Sequence, residues 1–369
     1  MASQVIRYVN TDSTAGGNGT TNDTVGANRA YATLNEAINA EQKDISAATG
    51  SDEQYTFYCS GTAADTTAMA SASWTNWVCS NGGSNFIEIL ANTGQAATAK
   101  WNTGIYRRVI TNGAGLYLKD TSGIMNLRIR GLQINVVQTT GTTARNGIDG
   151  SLGGAGGLSG PSYLWIERCL ILMERSGGTG AMRGVYFADA EWNTVRASNN
   201  VIAFNDTNTG TGFYRNVASG VVFRLYNNTI INGVTGFNTG TATGAATLYN
   251  NLVNGAVTSF HTGSGTLGGG YNSTTLGTAT GQTGDRVSQT FTHVDTAGTI
   301  YTNDYHLAAG DGGALDFGTP LGGDGNYPIT EDIDGVARAE PWDIGADEYV
   351  AAGGHKFAGK LFGKLAGKV

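Results

Sequence analysis

Apolar and polar residues alternate in short runs along most of this chain. In "LRIRG", Leu127 and Ile129 fall on one side of an extended backbone, and Arg128 and Arg130 on the other. A period of two is the signature of a half-buried strand. Six runs align on an apolar-x4-apolar core: 129–134, 166–171, 197–202, 225–230, 248–253 and 270–275, with starts 37, 31, 28, 23 and 22 residues apart. Propeller blades repeat at roughly 40 to 50 residues, and helical solenoids carry a 3.6-residue period within each unit. A core that is kept while its interval shrinks instead predicts the coils of an all-β parallel solenoid, in which loops of any length leave the coil and the strands stay. About 25 residues per coil between 55 and 300 predicts about ten coils and a rod of roughly 45 to 50 Å.

The corners of this solenoid are expected at Asn199, Asn227, Asn250 and Asn272, which share one position of the alignment. Asn adopts left-handed backbone angles more readily than other non-Gly residues, and stacked amides can form a hydrogen-bonded ladder. Ligand binding is the alternative for these residues. One helix is predicted, in 31–45: Thr33 and Glu36 make a capping box, and Leu34, Ala37, Ile38 and Ile45 one apolar face. It would cover the open front of the rod. The expected division is a helical cap in 1–54, the solenoid in 55–300, a closing region in 301–350 and a basic tail peptide in 351–369.

Composition sharpens the picture. The chain has 57 Gly, 4 Pro and 14% charged residues, which fits many short strands joined by tight turns; Gly without a G-X-Y period excludes collagen, and 40% hydrophobic residues in short runs argue against disorder. No apolar run approaches the ~18 residues of a membrane-spanning helix, and no secretory signal is expected at the start. Cys59, Cys79 and Cys169 read as buried free thiols, with a Cys59–Cys79 bridge as the alternative.

Candidate chemistry is sparse. A polysaccharide lyase needs a base and a cation at the uronate, yet no lysine lies between Lys119 and Lys356, and His261 and His293 fall in Thr- and Gly-rich loops. A glycoside hydrolase needs clustered carboxylates; Asp189 and Glu191 are the closest pair in the coils, a solvated strand or loop being the plainer reading. No catalytic or phosphate-binding motif is present. No cofactor and no nucleic-acid partner are expected of this chain of net charge −7. The outward faces say more. Arg128, Trp165, Arg196 and Arg224 are predicted to stack in one column, and Arg130, Glu167, Ser198, Tyr226, Tyr249 and Tyr271 in the next. Arg196, Arg224, Tyr226, Tyr249 and Tyr271 are thus candidates for sugar stacking or a subunit contact, ordinary surface packing being the alternative.

The tail repeats every four residues. Lys356, Lys360, Lys364 and Lys368 alternate with Phe357, Leu361, Phe362 and Leu365, a basic apolar peptide expected to dock on a partner; a membrane-surface anchor or an unstructured terminus are the alternatives.

"DYHLAAG" (304–310), "ALDFG" (314–318), "EDIDGVAR" (331–338) and "DIGADEY" (343–349) together resemble the closing region of bacterial and bacteriophage right-handed parallel β-helix repeat proteins, and the front segment is similar to their entrance. The family usually has Ser-Pro where this chain has Asp311, Gly312 and Gly313. The resemblance implies a right-handed parallel β-helix and three-fold self-association. It brings no catalytic residue, since the family holds polysaccharide lyases as well as phage tail-spike, fibre and head-decoration proteins. Arg338 beside Asp332, Asp334 and Asp343 is expected to form a buried charge cluster. Asp332 and Asp334 also make a D-x-D-G fragment of a calcium loop, without its remaining ligands. The expected function is a non-enzymatic structural protein of a bacteriophage virion, as capsid decoration, head fibre or tail spike or fibre rod. Its partners would be virion proteins and itself as a homotrimer, with a polysaccharide as a further ligand, in a virion or extracellular setting. An extracellular lyase or hydrolase and a secreted adhesin are the alternatives.

Overall fold

The computed structural model describes residues 2–69, 71–80, 85–118, 124–151, 162–187, 192–206, 210–216, 221–240, 244–255, 258–325 and 328–350. Three parallel sheets wind around one core. The first has nine strands: Ser3–Asn10, Glu53–Ser60, Ile87–Ala91, Asn126–Arg130, Ser162–Glu167, Trp192–Ser198, Val222–Tyr226, Ala246–Tyr249 and Leu267–Gly270. The second has eight, from Ala64–Asp65 to Ser273–Thr274, and the third six, from Leu116–Tyr117 to Ser259–Thr262. Consecutive strands of one sheet come from successive coils and pair in parallel register, so the chain is a parallel β-solenoid. Nine strands rather than ten coils give eight spacings, a rod of roughly 38 Å.

Alternation explains the core. Ile129, Ile166, Ala197, Leu225 and Leu248 are in register and buried in the first sheet; Ile134, Ile171, Ile202, Ile230 and Val253 do the same in the second. Each Ile, Leu or Val among them contributes about 1.5–3 kcal/mol by leaving water. In the third sheet Phe213 stacks on Phe237 at 5.7 Å. Beside that stack runs a column of Gly115, Gly147, Gly184, Gly212 and Gly236. A Cβ on Gly212 would stand 2.5 Å from Ile230 Cδ1 and 2.6 Å from the Gly236 carbonyl. These glycines let the third sheet lie against the isoleucine stack of the second.

The solenoid begins before the helix: Ser3–Asn10 pairs with Glu53–Ser60 along its whole length, so the first rung lies in the region expected to be only a cap. The last strands of the three sheets end at Gly270, Thr274 and Thr262, short of residue 300. The helix is Leu34–Ala40, capped by Thr33, which accepts from Glu36 N at 3.1 Å. Glu36 itself accepts from Ala32 N and Gly16 N rather than returning to Thr33, which ties the loop ahead of the helix to its first turn. Leu34, Ala37 and Ile38 are buried, and Trp77 donates its indole N–H to the Ile38 carbonyl at 3.2 Å. Ile45 is buried but lies beyond the helix, donating its N–H to Val78 O.

The region after residue 300 folds back along the rod. Ile300, Tyr305, Ile333 and Ala346 cover Leu170, Leu172, Val201, Ala203 and Ile231 on the outside of the second sheet. Leu321, Ile329 and Trp342 cover Tyr226 on the outside of the first. The closing segment therefore straddles the bend between these two sheets. All three cysteines are free and buried, and burial pushes the Cys169 thiol up to about 12. No helix among the described residues is long and apolar enough to cross a membrane.

Candidate functional site

The bend between the first and second sheets uses two adjacent positions for two purposes. The left-handed residue is Gly131, Arg168, Asn199, Asn227, Asn250 and Tyr271 in successive coils, with φ between 52° and 69°. The ladder is formed by the residue that follows. Asn200 donates Nδ2–H to Asn228 Oδ1 at 2.9 Å, Asn228 to Asn251 Oδ1 at 3.0 Å, Asn251 to Asn272 Oδ1 at 3.0 Å, and Asn272 to Asp285 Oδ1 at 3.1 Å. Each of the four also donates to a backbone carbonyl of the preceding coil, such as Asn228 to Ala197 O. Asn199, Asn227 and Asn250 thus make the bend but not the ladder. Asn272 makes the ladder but not the bend, because Leu248 pairs with Gly269 and Tyr249 with Gly270, one residue earlier than the sequence alignment places them.

The bend asparagines face the closing segment. Asn250 exchanges two hydrogen bonds with the Thr319 backbone, at 2.8 and 2.9 Å. Asn199 donates to Glu331 O and accepts from Arg338 Nη2 at 3.1 Å. Asn227, between them and fully buried, has neither amide atom hydrogen-bonded. The side chain of Arg338 is wholly buried, paired with Glu348 at 3.0 Å and bonded to the Gly345 carbonyl. Its hydrogen-bond partners are thus Glu348, the Asn199 amide and the main-chain carbonyls of Asp343 and Gly345 rather than the side chains of Asp332, Asp334 and Asp343. Asp332 spends both oxygens on the N–H groups of Asp334, Val336 and Glu348, and Asp334 pairs with His306 at 2.8 Å. Asp332 is a turn-former here, not an open calcium ligand. Burial, with the charge of Asp334, pushes its pKa up to about 6.

On the outside of the first sheet Arg128, Trp165, Arg196 and Arg224 are in register. The Arg128 guanidinium lies 3.9 Å from the Trp165 ring and 3.8 Å from Phe86, and Arg196 lies 5.1 Å from Trp165 on the other side. Cation–π contacts of this kind contribute about 0.5–2 kcal/mol each. In the next column Arg130 bridges Glu88 and Glu167. Tyr226 and Tyr249 meet edge to face at 5.6 Å, but Tyr226 is buried under Leu321, Ile329 and Trp342, and burial pushes its hydroxyl up to about 12. It serves packing rather than an exposed contact. Tyr271, at the bend, is out of this column.

A groove of about 610 Å³ opens on the second sheet where the closing segment stops covering it. Val109 and Asn135, paired across neighbouring strands, lie on its floor. Trp101 and Tyr301 meet edge to face at 6.1 Å. Asn135 donates to the Tyr301 hydroxyl at 2.8 Å, and that hydroxyl donates to Glu174; Asn135 Oδ1 is buried with no partner. Arg107 at the rim donates to the carbonyls of Thr62 and Thr103. An aromatic pair with an amide and a cation in one groove suits recognition of a polar ligand. Trp101 and Tyr301 are brought together only by the fold-back of the closing segment, so no local motif announces them.

A third surface escapes the alignment of the first-sheet columns: Tyr186 stacks on Tyr214 at 5.6 Å, with the Arg183 guanidinium 4.3 and 4.5 Å from the two rings. Period-two reading of "MRGVYF" and "GTGFYR" could have found it. His293 is buried, its Nδ1 on the Tyr305 carbonyl. His261 has Nε2 on Thr239 Oγ1 at 2.9 Å, and burial, with Arg215 nearby, pulls it down to about 4. The Asp189 and Glu191 pair and the tail residues Lys356, Phe357, Lys360, Leu361, Phe362, Lys364, Leu365 and Lys368 lie outside the described residues. No protein-family model matches the chain, and no curated protein matches it.

Proposed function

We propose that the chain is a non-enzymatic structural rod of a bacteriophage virion, held to neighbouring virion proteins through its terminal peptide 351–369 and self-associated as a trimer. The reading also places the chain with the right-handed parallel β-helix repeat proteins that its closing motifs resemble. The observation that carries it is the buried amide ladder running from Asn200 to Asp285 beside the stacked core. Every added coil then repeats the same contacts, which makes a stiff spacer suited to projecting from a larger particle. The exposed parts of the Arg128–Trp165–Arg196–Arg224 column offer aromatic and guanidinium area for a neighbouring subunit. Immunogold labelling of density-purified particles from a lysate of the source culture tests the reading. Label on heads or tails is expected, and label confined to the soluble fraction would overturn it.

The groove beside Trp101 favours a second reading, an extracellular protein that binds or cleaves an acidic polysaccharide. Incubation of the chain with uronate polymers separates the two: unsaturated products would establish a lyase.

A further inference from the structure

The motifs that carry His306, Asp334 and Asp347 are well separated along the chain, yet they converge on one point of the closing segment. A ring nitrogen of His306 and one carboxylate oxygen each from Asp334 and Asp347 all lie within 4.8 Å of one another. His306 presents Nε2 to Asp334 Oδ2 at 2.8 Å, while its Nδ1 is held by Asp304. Asp347 is 5% exposed. Its Oδ2 accepts the Leu307 N–H at 2.7 Å, and its Oδ1 takes no hydrogen bond. Asp347 therefore keeps one carboxylate oxygen uncommitted beside the imidazole.

We propose that His306, Asp334 and Asp347 bind one divalent ion of the zinc type. The donor set decides the class. One imidazole nitrogen and two carboxylate oxygens suit a borderline ion with bonds of about 2.0–2.2 Å, whereas calcium takes six to eight oxygens and leaves imidazole aside. Asp304 on Nδ1 supplies the carboxylate–histidine pairing that fixes the ring of a metal-bound histidine. Asp334, with a quarter of its side chain exposed, provides the movement that closes the set, and water completes the shell on its open side. Binding replaces the His306–Asp334 hydrogen bond, and the Nε2 proton leaves to solvent. The ion would join the strand Asp304–Leu307 to the two later segments that carry Asp334 and Asp347. This site is independent of whether the rod belongs to a virion.

The full chain, stripped with a chelator and dialysed, is titrated with zinc chloride by calorimetry and melted with and without the ion. One equivalent of zinc should bind, the Tm should rise with free zinc, and calcium should leave it unmoved. Asp334→Asn and His306→Gln should abolish binding, Asp304→Asn should weaken it about 10–100-fold, and His355→Ala should leave it intact. Circular dichroism checks each variant, and the more exposed Asp334 keeps the test decidable if His306→Gln fails to fold. The proposal is overturned by a wild-type chain that takes up no stoichiometric zinc, by retention of zinc in Asp334→Asn, or by its loss in His355→Ala.

Discussion

Asn228 donates its side-chain Nδ2–H to Asn251 Oδ1 at 3.0 Å, one coil along the rod, and accepts the same bond from Asn200 at 2.9 Å. Its neighbour Asn227 is equally buried and makes no side-chain hydrogen bond at all. Two asparagines side by side therefore have opposite energetic roles.

Asn228→Ala takes the acceptor from the side-chain and backbone N–H groups of Asn200 and the donor from the Ala197 carbonyl in the interior, and should destabilise by roughly 2–4 kcal/mol. Asn227→Gly keeps the left-handed backbone and removes only an unsatisfied amide, so its change should stay within about 1 kcal/mol. Asn227→Ala forces a Cβ into φ 53° and should cost about 1–2 kcal/mol. Urea midpoints of the three variants give this order, and a larger loss for Asn227→Gly than for Asn228→Ala would contradict the division of labour.

Arg338 ties the closing segment to the solenoid at Asn199. Arg338→Met leaves Glu348 without its cation in a buried setting, a loss of about 3–5 kcal/mol. The expected signature is local: hydrogen exchange should accelerate through 328–350, while rungs such as Ile129 and Ile166 stay protected. Uniform acceleration along the rod would show that the segment and the coils open as one unit.

The glycine column sets the thickness of the interior. Gly212→Ala places a Cβ against Ile230 and the Gly236 carbonyl and should destabilise by about 1–3 kcal/mol through overpacking. Gly323→Ala, in open surroundings, is the control and should be near neutral.

His261 gives the rod a measurable acid response. Its folded pKa, about 4, lies below the ordinary value of about 6.5, so between these values the unfolded chain binds the extra proton. Its contribution is complete above about 6.5 and is lost as the pH falls toward 4. Asp347, which burial raises to about 7, acts in the opposite sense, stabilising at low pH, so total stability is not the readout. The gap between wild type and His261→Gln, followed by urea midpoint from pH 7 to pH 4.5, should move in favour of the variant as the pH drops. A gap that does not change with pH would refute the assignment.

Much of the architecture was legible because neighbouring rungs place the same residue class in register. The bend and the ladder were not separable by eye, since both positions favour Asn and the pairs 199–200, 227–228 and 250–251 offer both at once. The last coil slipped by one because Tyr271, not Asn272, takes the left-handed angle. The first strand was hidden for another reason: Arg7 sits in the inward column opposite Phe57 and is paired with Glu41, since at the front end that column meets the cap rather than another rung. The glycine column did leave a trace, a Gly before an apolar residue at Gly147, Gly184, Gly212 and Gly236, but the abundance of Gly elsewhere masks it. Tyr226 looked like a surface residue because alternation reports the face of a strand and not what folds over that face.

As the chain leaves the ribosome, its rungs can stack in the order they are made, yet the strip formed by Leu170, Leu172, Val201, Ala203 and Ile231 waits for Ile300, Tyr305, Ile333 and Ala346. A nascent or prematurely terminated product ending near residue 300 would carry that greasy seam bare. Covering that seam is thus what makes the outer face of the second sheet compatible with water.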